Sequence, residues 1–421
     1  MTDNVTDFYD ALEIRSPAAR EAALLAALPQ HIAHAQKNTP AFAAIFSGIE
    51  ARSITSRAAL AQLPVTRKHE LLARQQQLRQ TGGDVFGGFS ALGFGARMPR
   101  LFASPGTIYE PEGTRNDYWR AARAIHAAGF RSGQLIHNSF SYHFVPAGAM
   151  MESGAHALGC SVFPAGTGQT EQQVHAMAAL QPAGYIGTPS FLKIIVEKAA
   201  ELKIALPSVT RALVSGEAFP PSLRDWLAQR GIAGYQCYAS ADLGLIAYET
   251  QAREGLVLDE GVLVEIVRPG TGEPVAAGEV GELVVTTFNP DYPLIRFGTG
   301  DLSAVLPGTC PSGRTNTRIT GWMGRADQTV KVRGMFVHPG QVADIVKRFP
   351  ELLKARLVVS GEMANDAMTL KVETSAAHDG LALRIGEAIR DVTKLRGAVE
   401  LLAPASLPND GKVIEDARSY Q

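Results

Sequence analysis

Apolar residues recur at helical spacing from Pro17 to about Lys37, where Ala and Leu dominate, and again in a shorter pattern from Ser56 to about Arg74. Pro40, Pro64 and the glycines at 82, 83, 87 and 88 punctuate this opening region as helix–loop–helix. From about Arg115 to Tyr238 the pattern becomes a rhythm. A helical stretch, Asp117 to Ala128, precedes the apolar run Leu135-Ile136-His137-Asn138. Helical Ala147 to Leu158 leads to Cys160–Pro164, Thr170 to Leu180 leads to Ala183–Gly187, Ser190 to Leu202 leads to Ala212–Ser215, and Pro221 to Arg230 leads to Tyr235–Tyr238. Short apolar strands alternating with helices predict βαβ units and a mostly parallel sheet. Ligands of such sheets bind beyond the carboxyl ends of the strands.

After Gly255 the helical period is lost. Val262–Val267, Glu282–Thr287 and Leu294–Phe297 predict strands separated by Pro-Gly, Thr-Gly and Asn-Pro turns, hence a β-rich lobe. From about Arg325 the chain mixes strand (Arg356–Val359, Ala367–Val372) with helix (Leu381–Val392), which predicts a separate α+β domain. The fold class expected is therefore α/β: a large N-terminal domain with a mostly parallel sheet and a β-rich lobe, 1–325, and a small α+β C-terminal domain, 326–421.

Length and composition agree with this division. A chain of 421 residues, 46% hydrophobic and 19% charged, is too long for one compact core. A net charge of −1 leaves no electrostatic footprint for nucleic acid or anionic lipid. Met1–Asp10 is polar and acidic, unlike a signal peptide. No stretch reaches the roughly 18 uninterrupted apolar residues of a membrane span. Cys160, Cys237 and Cys310 are far apart and form no C-x-x-C pair, which predicts reduced thiols in a cytoplasmic protein.

Four stretches carry candidate chemistry. Ser104-Pro105-Gly106-Thr107, in a loop ahead of the Asp117 helix, offers backbone N–H groups and hydroxyls to a phosphate, although an ordinary turn explains it as well. Ser215-Gly216-Glu217-Ala218, at a strand end, suits a flat ligand lying on backbone or a plain βα loop. Thr299-Gly300-Asp301, at the end of a β run, places a carboxylate where it could accept from a ribose diol, or is a turn aspartate. Gly324-Arg325-Ala326-Asp327, with Lys331, Arg333 and Gly334, is charged and reads first as a solvated loop entering the second domain.

In their order, these segments resemble the adenylate-forming superfamily, and most closely the phenylacetate–CoA ligase family. The resemblance runs nearly end to end. It includes Tyr9–Glu13, Leu63–Lys68, Gly166–Glu171 with Thr188-Pro189-Ser190, and above all Tyr292–Phe297 with Thr299–Leu302 and Leu306–Cys310. It implies an enzyme that joins an aromatic, phenylacetate-like carboxylic acid to ATP as acyl-AMP and then passes it to the CoA thiol, with Mg2+ assisting. It also implies that the C-terminal domain is mobile, and that the protein is a possible homodimer.

Carried over by position, Ser104, Gly106 and Thr107 resemble the phosphate loop, and Gly216, Glu217 and Ala218 the adenine loop. Tyr238 falls in the family's Y-G-L-[ST]-E stretch. Asp301 and Arg325 resemble the ribose-binding pair, and Asp327 the hinge. Lys412 resembles the lysine that bridges carboxylate and α-phosphate; read on its own it is an exposed tail lysine. Lys331 lies on the loop that replaces Lys412 for thioester formation, and Arg333 and Gly334 fall where CoA is met. Asp242 is implied as the Mg2+ ligand. Tyr142, Phe144, Ala239 and Ile246 are candidates for the acid's wall, with core packing as the other explanation. His137, His143 and His156 lie nearby without partners at ligand spacing and are read as polar lining or core.

The sequence departs from the family in three places. The phosphate loop S-S-G-T-T-G-K-P has Pro105, Ile108, Tyr109 and Glu110 at altered positions, and Glu110 in place of Lys reverses a charge where pyrophosphate leaves. Y-G-L-[ST]-E appears as Tyr238-Ala239-Ser240-Ala241-Asp242. The cysteine cluster of many relatives is reduced to Cys310, with Thr250 after Glu249, so no zinc is expected. Two other functions remain open: a non-catalytic nucleotide or acyl-CoA binding module with a degenerate phosphate loop, and an adenylating enzyme with a carrier-protein or amine acceptor.

Overall fold

The computed structural model describes residues 7–268, 270–323, 326, 330–333, 335–337, 339–362, 365–376, 379–408 and 412–418. Contacts divide the chain into two compact units, Met1–Met323 and Gly324–Gln421.

The first unit opens with the helix Pro17–Asn38, capped where Ser16 Oγ accepts the Ala19 N–H at 3.2 Å. It buries Leu28, Ile32 and Ala35 against the β-rich lobe. The single helical pattern expected from Ser56 to Arg74 is broken in two, into Arg57–Ala61 and Lys68–Gln80. Pro64 cannot donate to a helix and holds its neighbour extended. The chain between them instead forms the strand Thr66–Arg67, which pairs parallel with Phe297 and Gly298. The helix expected from Asp117 starts later, at Ala122, because the Asp117 carboxylate accepts the Ala122 N–H at 3.1 Å and Asp117 itself has φ +48°.

Among the described residues the central sheet has nine strands. Five are parallel, in the order Ser161–Pro164, Leu135–Asn138, Gly184–Gly187, Arg211–Val214 and Ala233–Ser240. Helices Ala147–Ala157, Thr170–Leu180, Pro189–Glu201 and Pro221–Ala228 make the crossovers. From Ala233–Ser240 onward the strands Gly244–Tyr248, Leu256–Leu258, Arg318–Ile319 and Val305–Leu306 continue the sheet antiparallel. Connections leave Leu135–Asn138 in opposite directions, so the topological switch lies between it and Gly184–Gly187, where α/β sheets open a crevice.

The β-rich lobe is a four-stranded sheet in the order Thr66–Arg67, Phe297–Ser303, Gly281–Thr287 and Val262–Val267. The strand expected over Leu294–Phe297 is displaced: it begins at Phe297 and ends at Ser303, so Thr299-Gly300-Asp301 lies within a strand and not after one. Arg296 turns the chain at φ +45° and sends its guanidinium into the interior, where it is 1% exposed. There it pairs with Glu265 at 3.0 Å and donates to the carbonyls of Ala61 at 2.8 Å and Gly272 at 2.7 Å, and to Leu63.

The second unit packs the helices Pro339–Val346 and Asp379–Thr393 on the sheet Ala398–Leu402, Asn365–Thr374, Leu352–Glu362, Ile414–Asp416. Val337, Val359, Leu370, Val372, Ile385 and Ile389 form its fully buried centre. The hairpin Val330–Val332 and Met335–Val337 joins this core.

Replacing Arg296 by Met is expected to lower unfolding free energy by about 3–5 kcal/mol, because Glu265 then remains buried without its counter-ion. Adding Glu265→Leu should recover a large part of that loss. Urea unfolding of the single and double variants checks both statements.

Candidate active site

The loops beyond the carboxyl ends of the parallel strands are fixed from behind. After Asn138 the chain stays on the sheet through Ser139, whose N–H donates to the Ile186 carbonyl at 2.7 Å. After Val214, Ser215 donates through Oγ to the Cys237 carbonyl at 2.7 Å, and Gly216 takes φ +83°. Glu217 is exposed, and its Oε1 accepts the Ser190 N–H at 2.7 Å at the start of the Pro189–Glu201 helix. Gly216, Glu217 and Ala218 therefore form a backbone ledge at the strand ends. Gly216 enters the left-handed region there without strain.

Tyr238, near the end of its strand, donates its hydroxyl to Asp301 Oδ2 at 2.7 Å. The other carboxylate oxygen of Asp301 accepts the Trp322 indole N–H at 3.1 Å. Asp301 thus sits half-buried where the central sheet and the β-rich lobe meet, with both oxygens oriented by donors. Trp322, 43% exposed, was not singled out in the sequence; it carries no motif of its own.

The Ser104 stretch is a β-hairpin and not a loop before a helix. Arg100–Ser104 pairs antiparallel with Ile108–Glu112, and Pro105-Gly106-Thr107 is the turn, with φ +98° at Gly106 and +60° at Thr107. Ile108 packs in the core, and side chains alternate along a strand, so Glu110 also points inward. It is fully buried and accepts the Ser104 N–H at 3.2 Å and the Ser104 hydroxyl. Burial pushes its carboxyl up to about 8, the neighbouring Asp242 pushes the same way, and Lys68 opposes them. The expectation that Glu110 reverses the charge at the loop is corrected here. Burial favours its protonated form, and the side chain points into the interior, bonded to Ser104 at the start of the turn.

Asp242, with 1% of its side chain exposed, receives Lys68 Nζ at 2.7 Å on Oδ2, while its buried Oδ1 has no hydrogen-bond partner. Lys68 was quoted in the sequence only as part of an opening segment. Its partner lies 174 residues away, and no local signal links them. The orphaned Oδ1 beside a lysine suits a second cation, so the residues present fit a divalent metal at this carboxylate.

The four wall candidates are not gathered in one place. Tyr142 follows the Leu135–Asn138 strand, half-buried, with its hydroxyl donating to Glu152 at 2.8 Å and accepting from Asn138 at 2.8 Å. Burial and the Glu152 carboxylate push its phenol up, so it stays neutral. Phe144 is 80% exposed at φ +62°, and its carbonyl accepts the Ala103 N–H at 2.7 Å, tying this loop to the hairpin. Ala239 is half-buried at the end of its strand. Ile246 is fully buried in the core of the β-rich lobe, so it packs the interior and is no wall. His137 is also interior, bonded to Gln173 at 2.9 Å and stacked on Phe163.

In the second unit Lys412 is exposed, ahead of the strand Ile414–Asp416. Lys331 lies in the strand Val330–Val332. Arg333 holds Asp366 through its backbone N–H at 2.9 Å and through Nε to the carbonyl at 3.0 Å. Arg325, Asp327 and Gly334 lie outside the described residues. Around Cys310 stand the Ser312 hydroxyl at 3.0 Å and the Thr250 hydroxyl at 3.6 Å, with the Arg314 guanidinium 3.5 Å from Ser312.

Because Glu110 titrates near 8 when folded and near 4.5 when not, its contribution to stability is full below the lower value and is lost as pH rises toward the higher. Glu110→Gln removes that loss. Its melting temperature relative to the parent chain is expected to rise by a few degrees between about pH 5 and about pH 8. Scanning calorimetry across that range checks it.

Comparisons with known proteins identify the family. The family model described as AMP-binding enzyme matches residues 119–289, which span the crevice loops, Tyr238 and Asp242. Phenylacetate-coenzyme A ligase of Pseudomonas putida is 30% identical over 392 residues, 87% of this chain and 84% of that one. The enzyme of that name from Thermus thermophilus is 32% identical over 294 residues, 66% of each chain. Among solved structures, 2-hydroxyisobutyryl-CoA ligase in complex with 2-HIB-AMP and CoA superposes with a TM-score of 0.84 at 22% identity, over 100% of this chain and 94% of that one. That likeness establishes the adenylate-forming fold. With a sheet junction that orients Asp301 and relatives matched over most of their length, the chain belongs to the phenylacetate–coenzyme A ligase family of AMP-forming acid–CoA ligases.

Proposed function

We propose that this chain activates an aromatic, phenylacetate-like carboxylic acid with ATP and transfers the acyl group to CoA. The observation that carries the reading is the Tyr238–Asp301 pair at 2.7 Å, which holds a carboxylate at the junction of two sheets. A ribose diol donates to such a carboxylate while a planar base lies on Gly216-Glu217-Ala218.

In the first step an oxygen of the acid forms a bond to the α-phosphorus, and the bond to the bridging oxygen of pyrophosphate breaks. The leaving group departs with its charge. In the second step the CoA sulfur bonds to the acyl carbon and the carbon–oxygen bond to AMP breaks. Both steps need two anions held together and the developing charge met by fixed donors. In this reading Ser104, Gly106 and Thr107 border the phosphates. Asp242, already paired with Lys68, would hold a Mg2+ ion, which would supply charge neutralisation to the phosphates. Lys412 serves adenylation, Lys331 serves transfer, and Arg325, Asp327, Arg333 and Gly334 keep the ribose, hinge and CoA roles that their positions imply. Tyr142 and Ala239, both half-buried, remain the candidates for the acid's wall. The phenylacetate ligases among the relatives support the same acid class.

A second reading has one observation in its favour. The Thr107 N–H is spent on the Ser104 carbonyl at 3.0 Å and the Ser104 hydroxyl on Glu110, which removes donors from the phosphate turn. A module that binds AMP or acyl-CoA without turnover fits that economy of donors.

Calorimetric titration with Mg·ATP and with AMP, each with and without a panel of aryl carboxylic acids, separates the two. ATP binding with heat of turnover supports the ligase. AMP binding without ATP binding supports the module. Thioester formation that requires CoA excludes a carrier or amine acceptor. In the ligase, Lys412→Ala is expected to lose acyl-AMP formation and to keep transfer from preformed acyl-AMP; equal damage to both half-reactions counts against the assignment.

A further inference from the structure

The hairpin that faces the phosphates contains no basic residue between Ser104 and Pro111, and its acid, Glu110, is turned inward. Positive charge reaches the turn from outside it. The helix Lys68–Gln80 lies along the hairpin and grips it with one face. The Cβ position of Gly106 is 3.5 Å from Leu72 Cδ2. Gln75, fully buried, brackets Tyr109: its Nε2 donates to the Tyr109 carbonyl at 2.9 Å and its Oε1 accepts the Tyr109 N–H at 2.9 Å. One turn further on, Arg79 Nη1 donates to the Thr107 carbonyl at 3.1 Å, and the guanidinium lies 5.0 Å over the Tyr109 ring. Residues 72, 75 and 79 are spaced at three and four, so they share a face.

This guanidinium is held in place, yet among the described residues it has no counter-ion. Among the described residues Arg79 forms no ion pair, and its hydrogen bonds run only through Nη1, to the Thr107 carbonyl and, at 3.5 Å, to Gln75 Oε1. Nε and Nη2 remain as donors beside the exposed Gly106 and Thr107. Several neighbouring arginines have an acid in contact, Arg67 with Glu282, Arg100 with Glu112 and Arg115 with Asp291, whereas Arg74, Arg131 and Arg211 bond backbone carbonyls as Arg79 does. Arg79 differs from these in lying at the hairpin turn. A half-buried arginine positioned by an aromatic ring and left without an acid is a ready partner for an oxyanion, and its planar fork matches phosphate.

We propose that Arg79 binds the β- and γ-phosphates of ATP at the hairpin turn and stabilises the departing pyrophosphate, supplying from the helix the charge that the hairpin itself lacks. The proposal rests on the ligase reading for its catalytic part. Its binding part stands without it.

Titration of the full chain with inorganic pyrophosphate is the first test, comparing the parent protein with Arg79→Gln and Arg79→Lys. Pyrophosphate affinity is expected to fall about 10- to 100-fold in Arg79→Gln and less in Arg79→Lys, with AMP affinity unchanged. Acyl-AMP formation should fall by a similar factor, while transfer from preformed acyl-AMP to CoA is kept. If Arg79 only pins the hairpin, AMP and pyrophosphate binding weaken together and Arg79→Lys rescues neither; that result overturns the proposal, as does unchanged pyrophosphate affinity in Arg79→Gln. Failure of the parent chain to bind pyrophosphate also overturns it. Failure to form acyl-AMP with any acid, while pyrophosphate still binds through Arg79, overturns the ligase reading alone.

Discussion

The buried guanidinium of Arg296 is the constraint on which the site depends. It bonds the end of the Arg57–Ala61 helix, the Glu265 strand and the Gly272 turn at once, and the next residue begins the strand that carries Asp301. With the Ala61–Leu63 carbonyls fixed, Thr66 and Arg67 are delivered beside Phe297 and Gly298, and Lys68 emerges at Asp242. Arg67 reinforces this by pairing with buried Glu282, whose Oε1 also accepts the Gly300 N–H at 3.3 Å. Segments far apart in the chain are thus brought to one edge through charged groups that cannot leave the interior singly without a cost of several kcal/mol, about 3–5 by analogy with other buried pairs.

Electrostatics around the phosphate hairpin follow from burial more than from the count of charges. The Asp242 charge adds to burial in raising the cost of ionising Glu110, and it is Asp242 that has a lysine in contact. In a low-dielectric setting the carboxyl without a lysine in contact is pushed toward its protonated form. The substitution of an acid for the family's lysine therefore changes where the positive charge must come from without placing a negative charge on the turn. Helix Lys68–Gln80 has a cation at each end, Lys68 at Asp242 and Arg79 at Thr107, and is fastened to the hairpin by Gln75 between them.

Much of the architecture was legible in the order of residues. The βαβ rhythm from Leu135 to Tyr238 gave strand and helix positions that differ from the structure by one or two residues, since buried parallel strands are short apolar runs and the crossover helices have their own period. Misreadings cluster where local pattern and tertiary bonding compete. Ser56 to Arg74 has helical spacing throughout, yet Pro64 and the pairing with Phe297 pull its middle into a strand. Leu294–Phe297 is apolar enough for a strand, but the turn at Arg296 sacrifices strand geometry to bury a charge where Glu265 awaits it.

Of the site, the sequence by itself determined the chemical types and their order: the glycine ledge, Tyr238, Asp301, the altered hairpin and the late lysines, which suffice to recognise an adenylate-forming ligase. Their facing and pairing were decided only by the tertiary structure. Ile246 went to the core and Phe144 to the surface because exposure is set by neighbouring elements and not by residue type. Glu110 turned inward because hairpin register puts it on the face of Ile108, and a register slip of one residue would have exposed it. Lys68 and Asp242 found each other across 174 residues, as Tyr238 and Asp301 did across 63. Local periodicity reports the path of the backbone over a few residues, whereas these contacts depend on how two sheets meet.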